Sequence, residues 1–166
     1  MRDFVQKLEK QTMIIFKDID ITLAFINEDY WDKRVGGYII WKQLYHMLNS
    51  IDRIYTLPTI YEYPSFHVDG LNSLDQESKI KLNKETLSSY FLVIKDNVTA
   101  YLKNMDDTYL LEEVICQEMK LSRFDLILAQ IRHMSWHLGY IHSCIKQETC
   151  MLPEYIGINS EHYPID

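Results

Sequence analysis

Glycine and proline are scarce in this chain: its 166 residues contain only five glycines and four prolines. An all-β fold needs many turns, and turns rely on both residue types, so the composition argues against that class and favours a few long helices. Cysteine is scarce as well. The three cysteines are odd in number and show no CxxC spacing, which argues against a disulfide framework or a zinc site built from thiolates.

Long hydrophobic runs are missing too. No stretch approaches the roughly 18 consecutive apolar residues of a membrane-spanning helix. The N-terminal segment MRDFVQKLEKQ has no apolar core of the kind found in signal peptides. The net charge of −7 argues against nucleic acid or an anionic membrane as the main partner, because both select surfaces rich in Lys and Arg. We therefore expect a cytoplasmic protein.

The remaining composition is that of a globular protein, with 47% hydrophobic and 25% charged residues. We expect one domain over residues 1–166, with a core at about 3–146 and a C-terminal tail at 147–166. Four segments have helical character, at about residues 3–27, 38–55, 76–104 and 122–146. Four long helices with mostly short connections predict an all-α, up-down four-helix bundle.

The second and fourth segments carry the clearest local signals. In the second segment, apolar residues alternate at spacings of four and three, which is typical of a bundle helix: Ile40, Leu44, Met47, Ile51 and Ile54. The fourth segment begins with Ser122, and Asp125 stands three residues later, as in a capping box. For the third helix, Ser73 or Asp75 is the expected N-cap.

Three stretches between these helices are less regular. Gly36 and Gly37 break the chain before the second helix. Residues 56–74, with Pro58 and Pro64, predict a loop long enough to cover a site. Residues 105–120 are ambiguous between a short helix, a strand pair and a loop, and their acidic residues are expected to be solvated.

The histidines give the clearest indication of a functional site. His133 and His137 are four residues apart in the fourth helix, so they lie about 40° apart on its surface and can reach one ion. Both flank the apolar stripe of the helix, where a half-buried position would keep a bound ion reachable from water. His142 is nine residues from His133, about 180° around the helix, and cannot join them.

His46, on the polar shoulder of the second helix, is the natural third ligand. If the second and fourth helices are neighbours, three imidazoles converge. Three neutral nitrogens suit a divalent ion and leave a coordination position open, as a Lewis-acid site needs. Zinc, nickel and iron all accept imidazole ligands, so the residues alone do not choose among them.

The stretch GGYIIWKQLYHMLNSIDR, followed downstream by HMSWH, resembles the DinB-like (DinB/YfiT-like) superfamily of metal-dependent proteins. The resemblance covers about residues 5–145. It implies a four-helix bundle with one histidine on the second helix and a histidine pair on the fourth, here His46, His133 and His137. It also implies a homodimer and a divalent-metal site, for which we expect zinc or nickel first, with iron or manganese as alternatives. Characterised relatives include thiol S-transferases and thiol-dependent isomerases, and many other members are classed as hydrolases.

We therefore expect a metal-dependent enzyme that acts on a small molecule, as a thiol S-transferase using a low-molecular-weight thiol or as a hydrolase. The thiol reaction is the more attractive because no HExxH motif supplies a general base. Two other classes stay open: a non-catalytic metal-binding or stress-related helical bundle, and a helical interaction module with incidental histidines.

Other residues near the histidines have two interpretations. Three aromatic residues could shape a pocket or simply pack between helices: Tyr45, Trp136 and Tyr140. Four polar residues could support the ligands or orient a substrate, although a solvated face is the simpler interpretation: Gln43, Ser50, Arg53 and Gln130. Cys144 is expected to be a small buried hydrophobe, whereas His67 and His162, outside the helices, are expected to be solvated.

Overall fold

The computed structural model describes residues 1–57, 60–160 and 163, and within them the protein is mostly helical. These residues form six α-helices: α1 (Asp3–Phe25), α2 (Glu28–Trp31), α3 (Ile40–Ser50), α4 (Lys84–Lys103), α5 (Asp107–Leu110) and α6 (Arg123–Thr149). A single π-helical turn, Ile51–Tyr55, continues α3. Two antiparallel hairpins are also present: β1 (Arg34–Val35) with β2 (Tyr38–Ile39), and β3 (Glu113–Cys116) with β4 (Met119–Ser122).

The first, second and fourth predicted helices are confirmed in place. The capping box at the start of α6 is also confirmed, with Ser122 accepting from the Asp125 backbone and the Asp125 side chain accepting from the Ser122 backbone. Helix α6 ends at Thr149, slightly later than predicted. The tail beyond it is tied to α1, because the backbone N–H of Ile156 donates to Asp18 at 3.3 Å.

The third predicted helix is wrong at its start. Helix α4 begins at Lys84, and its cap is Asn83, whose side chain accepts from the Thr86 N–H at 2.8 Å. The preceding residues stay irregular because their carbonyl groups serve distant partners. The indole of Trp31 donates to the carbonyl of Leu82 at 2.7 Å, and the ammonium group of Lys42 donates to the carbonyl of Gln76. Tertiary hydrogen bonds thus replace the helical ones.

The ambiguous segment contains both a short helix and a strand pair. Helix α5 is followed by the β3–β4 hairpin, whose two turn residues, Gln117 and Glu118, have φ of +50° and +68°. Two positive φ values in succession match the twist of an antiparallel pair. The acidic run before this hairpin is not simply solvated: Asp107 accepts backbone N–H groups of Asp3, Phe4 and Val5, and so caps helix α1.

The long helices share one hydrophobic cluster. Helix α1 packs against α4 and α6, and α3 also packs against α4 and α6. Phe16 of α1 meets Phe91 of α4 edge to face at 5.4 Å, while Leu44 of α3 and Ile141 of α6 are fully buried in the same cluster. Burying each such side chain contributes about 1.5–3 kcal/mol. The contact between α3 and α6 is what positions the histidines.

Among the described residues, no helix combines the length and the apolar character that crossing a membrane requires.

Candidate metal centre

Helices α3 and α6 bring the three predicted histidines together. His46, His133 and His137 each offer one nitrogen, and these nitrogens all lie within 4.8 Å of one another. Nε2 of His133 lies 3.0 Å from Nε2 of His137. The ring of His46 lies 4.9 Å from the ring of His137 and 5.7 Å from that of His133, measured between centroids. The convergence expected from helical spacing is thus present.

Hydrogen bonds on the far side of two rings determine which nitrogen faces the group. Nδ1 of His46 lies 2.7 Å from the carbonyl oxygen of Asn72, and Nδ1 of His137 lies 2.7 Å from Oε1 of Gln43. Since both partners are acceptors, each Nδ1 carries the proton and donates it. The Nε2 atom of each ring is then unprotonated and presents a lone pair, as a metal ligand must.

The ring of His133 lacks a hydrogen bond of this kind within the described part of the chain. Its Nδ1 is buried and has no hydrogen-bond partner among the described residues. Its Nε2 faces the lone pair of His137 Nε2 at 3.0 Å, so this contact needs either a shared proton or a cation between the rings. Buried polar atoms without partners are uncommon and indicate a ligand, an ion or a strained site.

The electrostatics of the group favour neutral imidazoles. Burial lowers the pKa of His133, with a further lowering from His46. Burial, followed by the neighbouring His133 and His46, lowers the pKa of His137 to about 3. The rings of His133 and His137 are therefore uncharged near neutral pH, and protons compete weakly for their lone pairs. Three imidazole nitrogens in one group form a donor set that fits a divalent metal ion.

A cavity of about 410 Å³ borders the group, with His46 and His133 in its wall. Arg53 also lines this cavity, and its guanidinium has no ion-pair partner among the described residues. His137 lies deeper, with an exposed fraction of 1%, where half-burial was expected. The group is thus reachable from one side through two of its three rings.

The four polar candidates divide into separate roles. Gln43 is not on a solvated face: it is 1% exposed and bonds His137 directly. Ser50 donates to Gln130 at 3.3 Å, and both line the cavity. Together with Arg53, these two residues give the cavity a polar wall beside the histidines.

The three aromatic candidates pack against neighbouring side chains or form hydrogen bonds to other parts of the fold. Tyr45 is fully buried and bonds Nδ1 of His67 at 2.5 Å, away from the histidine group. Trp136 is exposed, but its ring stands edge-on to His137 at 4.7 Å and covers one side of it. Tyr140 donates to the carbonyl of Gly36 at 2.8 Å, and this close approach at a residue with φ +60° leaves no room for a Cβ.

The remaining candidates do not join the site. Cys144 is buried as expected, and burial raises the pKa of its thiol. His142 bonds Thr22 of α1 at 2.8 Å, on another side of α6. His67 is stacked on Tyr63 with centroids 3.9 Å apart rather than solvated freely. His162 lies outside the described residues.

Three further residues at the site were not predicted from the sequence. Asn72 holds His46 through its carbonyl, Asn49 holds Asn72 by accepting from its side chain at 3.1 Å, and Gln117 lines the cavity from the β3–β4 turn. Only Asn49 carried a sequence signal, since it stands three residues after His46 and therefore on the same side of the helix.

Comparisons of the chain with protein-family models, with curated proteins and with solved structures found no match. Its function is therefore argued from the geometry of the site.

Proposed function

We propose that this chain is a divalent-metal-dependent enzyme of the DinB-like type, built on an up-down four-helix bundle. The observation that carries the proposal is the meeting of three imidazoles, two of them held by hydrogen bonds on the opposite ring nitrogen, at the wall of a cavity. The packing of α1 and α3 against both α4 and α6 supports the bundle topology.

His46, His133 and His137 would hold the ion, zinc or nickel first, with iron or manganese as alternatives. When bound, the ion would supply Lewis acidity at this position, which would lower the pKa of a thiol or a water molecule that reaches it. Gln43 and Asn72 orient two of the rings and keep their protons on the far nitrogen.

The cavity wall favours thiol transfer over hydrolysis. None of its described lining residues is a carboxylate, and its two histidines are the proposed ligands His46 and His133, so no other described lining residue is a candidate for a general base. In a thiol transfer the small thiol loses its proton to water, its sulfur forms the new bond to the electrophile, and the leaving group departs with the bonding electron pair. Arg53 would bind a carboxylate of the thiol, while Ser50 and Gln130 offer hydrogen bonds.

Burial of His137 favours the second candidate, a non-catalytic metal-binding or stress-related protein. Structural ions are enclosed, whereas catalytic ions keep an open position. The cavity beside His46 and His133 supports catalysis more directly, so the enzyme is our first proposal.

The proposal also covers the binding partner, the cellular compartment and the oligomeric state. We propose a small-molecule substrate, rather than nucleic acid or a membrane, and a cytoplasmic location. The three free cysteines, Cys116, Cys144 and Cys150, fit a reducing compartment. The homodimer rests on the family resemblance alone.

The first test measures metal content by elemental mass spectrometry on protein purified without an affinity tag. We expect about one equivalent of zinc or nickel in the wild type, because three ligands define one site. His133→Ala should lose the metal, whereas His142→Ala, on the same helix but outside the group, should keep it. No metal in the wild type after incubation with zinc, nickel, iron and manganese salts would contradict the proposal.

The second test separates the two candidates. Purified metal-loaded protein is incubated with cysteine as the thiol and with monobromobimane as the electrophile, and thioether formation is followed by fluorescence. Metal-dependent turnover that disappears in His133→Ala supports thiol transfer. Bound metal without turnover of this pair or of a panel of ester substrates would support the non-catalytic candidate.

A further inference from the structure

A second cavity, of about 1120 Å³, lies along helix α4 and shares no described lining residue with the cavity beside the histidines. Residues of α4 and its C-cap recur at helical spacing along the cavity: Tyr90, Val93, Asn97, Tyr101 and Asn104. From Tyr90 to Asn104 these residues extend about 21 Å at 1.5 Å per residue. The cavity is therefore elongated, with distinct ends.

One end contains a half-buried carboxylate. In the π-helical turn, Asp52 lines this cavity while the next two residues, Arg53 and Ile54, line the one beside the histidines. Oδ2 of Asp52 accepts hydrogen bonds from the hydroxyl groups of Tyr90 at 2.7 Å and Tyr61 at 3.3 Å. These two donors hold the carboxylate in place. Within the described part of the chain, its other oxygen has no partner and the carboxylate forms no ion pair.

The charge of the lining is entirely negative. Glu62 and Glu85 line the cavity together with Asp52, and its described lining includes no Lys, Arg or His. At the other end, Arg123 donates to the hydroxyl of Tyr101 at 3.1 Å and lies 4.1 Å from the ring centre of Tyr109. A positive ligand group is therefore favoured at the Asp52 end rather than at the Tyr101 end.

Aromatic residues line the cavity together with this carboxylate. Phe66 and Tyr90 meet edge to face at 5.5 Å, and Tyr61 completes the wall beside Asp52. Tyr101 and Tyr109 line the far end. A carboxylate among aromatic rings is the combination that recognises an organic ammonium ion, through charge-assisted hydrogen bonds and cation–π contacts. The far aromatic end offers apolar surface without a second carboxylate.

We propose that this cavity binds an organic amine with one ammonium group and an elongated apolar body. The ammonium group donates to the free oxygen of Asp52, and the apolar body lies along α4 towards Tyr101. None of the three histidines lines this cavity, so amine binding there does not depend on the metal centre.

The test compares three probes by isothermal titration calorimetry on the full chain. The probes are 4-phenylbutylamine, its neutral analogue 4-phenylbutan-1-ol and the anionic 4-phenylbutyrate. We expect the amine to bind at least about tenfold more tightly than the alcohol, with no detectable binding of the anion. Equal affinities for amine and alcohol, or no binding of the amine at millimolar concentration, would overturn the proposal. This comparison uses only the wild-type protein, so it tests amine binding even if a variant fails to fold.

Variants then locate the site. Asp52→Asn keeps the shape of the side chain and should weaken amine binding about tenfold while leaving alcohol binding unchanged. Asp96→Asn, an exposed residue of α4 outside the cavity lining, removes the same charge and should leave both affinities unchanged. Amine binding should also persist in His133→Ala. Unaltered amine affinity in Asp52→Asn, or its loss in His133→Ala, would refute the assignment.

Discussion

Oε1 of Gln43 lies 2.7 Å from Nδ1 of His137, and each of these two side chains is only 1% exposed. The contact joins α3 to α6 at the histidine group. Because an amide oxygen only accepts, it keeps the His137 proton on Nδ1 and leaves Nε2 free. A residue of α3 that is not itself a ligand thus determines whether a ring on α6 can be one.

Gln43→Leu should therefore weaken metal binding. Losing the acceptor frees the His137 ring to turn or to change tautomer, and outer hydrogen-bond partners of this kind typically contribute 10- to 100-fold in affinity. A competition titration against a chromogenic chelator measures the effect. Gln147→Leu, an exposed residue of α6, is the matched control and should bind metal as the wild type does. Wild-type affinity in Gln43→Leu would show that this contact does not orient the ring.

A second support reaches His46 through the long connection between α3 and α4. Asn49 is buried, accepts from the side chain of Asn72 at 3.1 Å and donates to the hydroxyl of Tyr61 at 2.8 Å. The carbonyl of Asn72 in turn accepts from His46. Asn49 therefore fixes the part of the connection that holds His46.

Asn49→Ala should lower both stability and metal affinity. Leaving buried polar partners unpaired costs about 1–3 kcal/mol, which urea unfolding of the metal-free protein should detect. Metal affinity should fall by more than this loss of folding stability explains, since His46 loses its fixed acceptor. Asn97→Ala, an exposed α4 residue, serves as the control. A stability loss with unchanged metal affinity of the folded protein would contradict the positioning role.

Local patterns in the sequence predicted much of this site, whereas long-range contacts were beyond them. Helical spacing places His133 and His137 on one side of α6 and His46 on the polar shoulder of α3, because helical periodicity sets those faces. The start of α4 was misplaced, since Asn83 and the distant Trp31 determine it together. Asn72 reaches His46 across 26 positions of the chain, a contact that no local rule encodes.

The position of Arg53 leads to a prediction about the charge of the substrate. Its guanidinium lines the histidine cavity without an ion-pair partner in the described part of the chain. Arg53→Gln should raise the KM for a carboxylate-bearing thiol such as cysteine about tenfold, with little effect on the uncharged 2-mercaptoethanol. Arg132→Gln removes an exposed charge from α6 and should change neither value. Equal KM increases for both thiols would assign Arg53 a structural role instead.

His142 allows a test of stability against pH that is separate from the metal site. Its Nε2 lies 2.8 Å from the hydroxyl oxygen of Thr22, and that hydroxyl donates its own proton to the carbonyl of Asp18 at 2.7 Å. The Thr22 oxygen therefore accepts from His142, whose ring is half-buried. Burial lowers the pKa of His142 below its ordinary value of 6.5.

The sign of the effect follows from proton binding in the two states. Below pH 6.5 the unfolded chain protonates His142 while the folded protein does not, so the free energy of unfolding falls as the pH falls. One such group contributes at most about 1.4 kcal/mol per pH unit between the two pKa values. His142→Gln keeps a donor for Thr22 but cannot titrate. In urea unfolding of chelator-treated protein from pH 7.5 to 5.0, the variant should lose less stability than the wild type. Other histidines contribute to both proteins and cancel in the difference, so parallel profiles would show that His142 titrates alike in the folded and unfolded states.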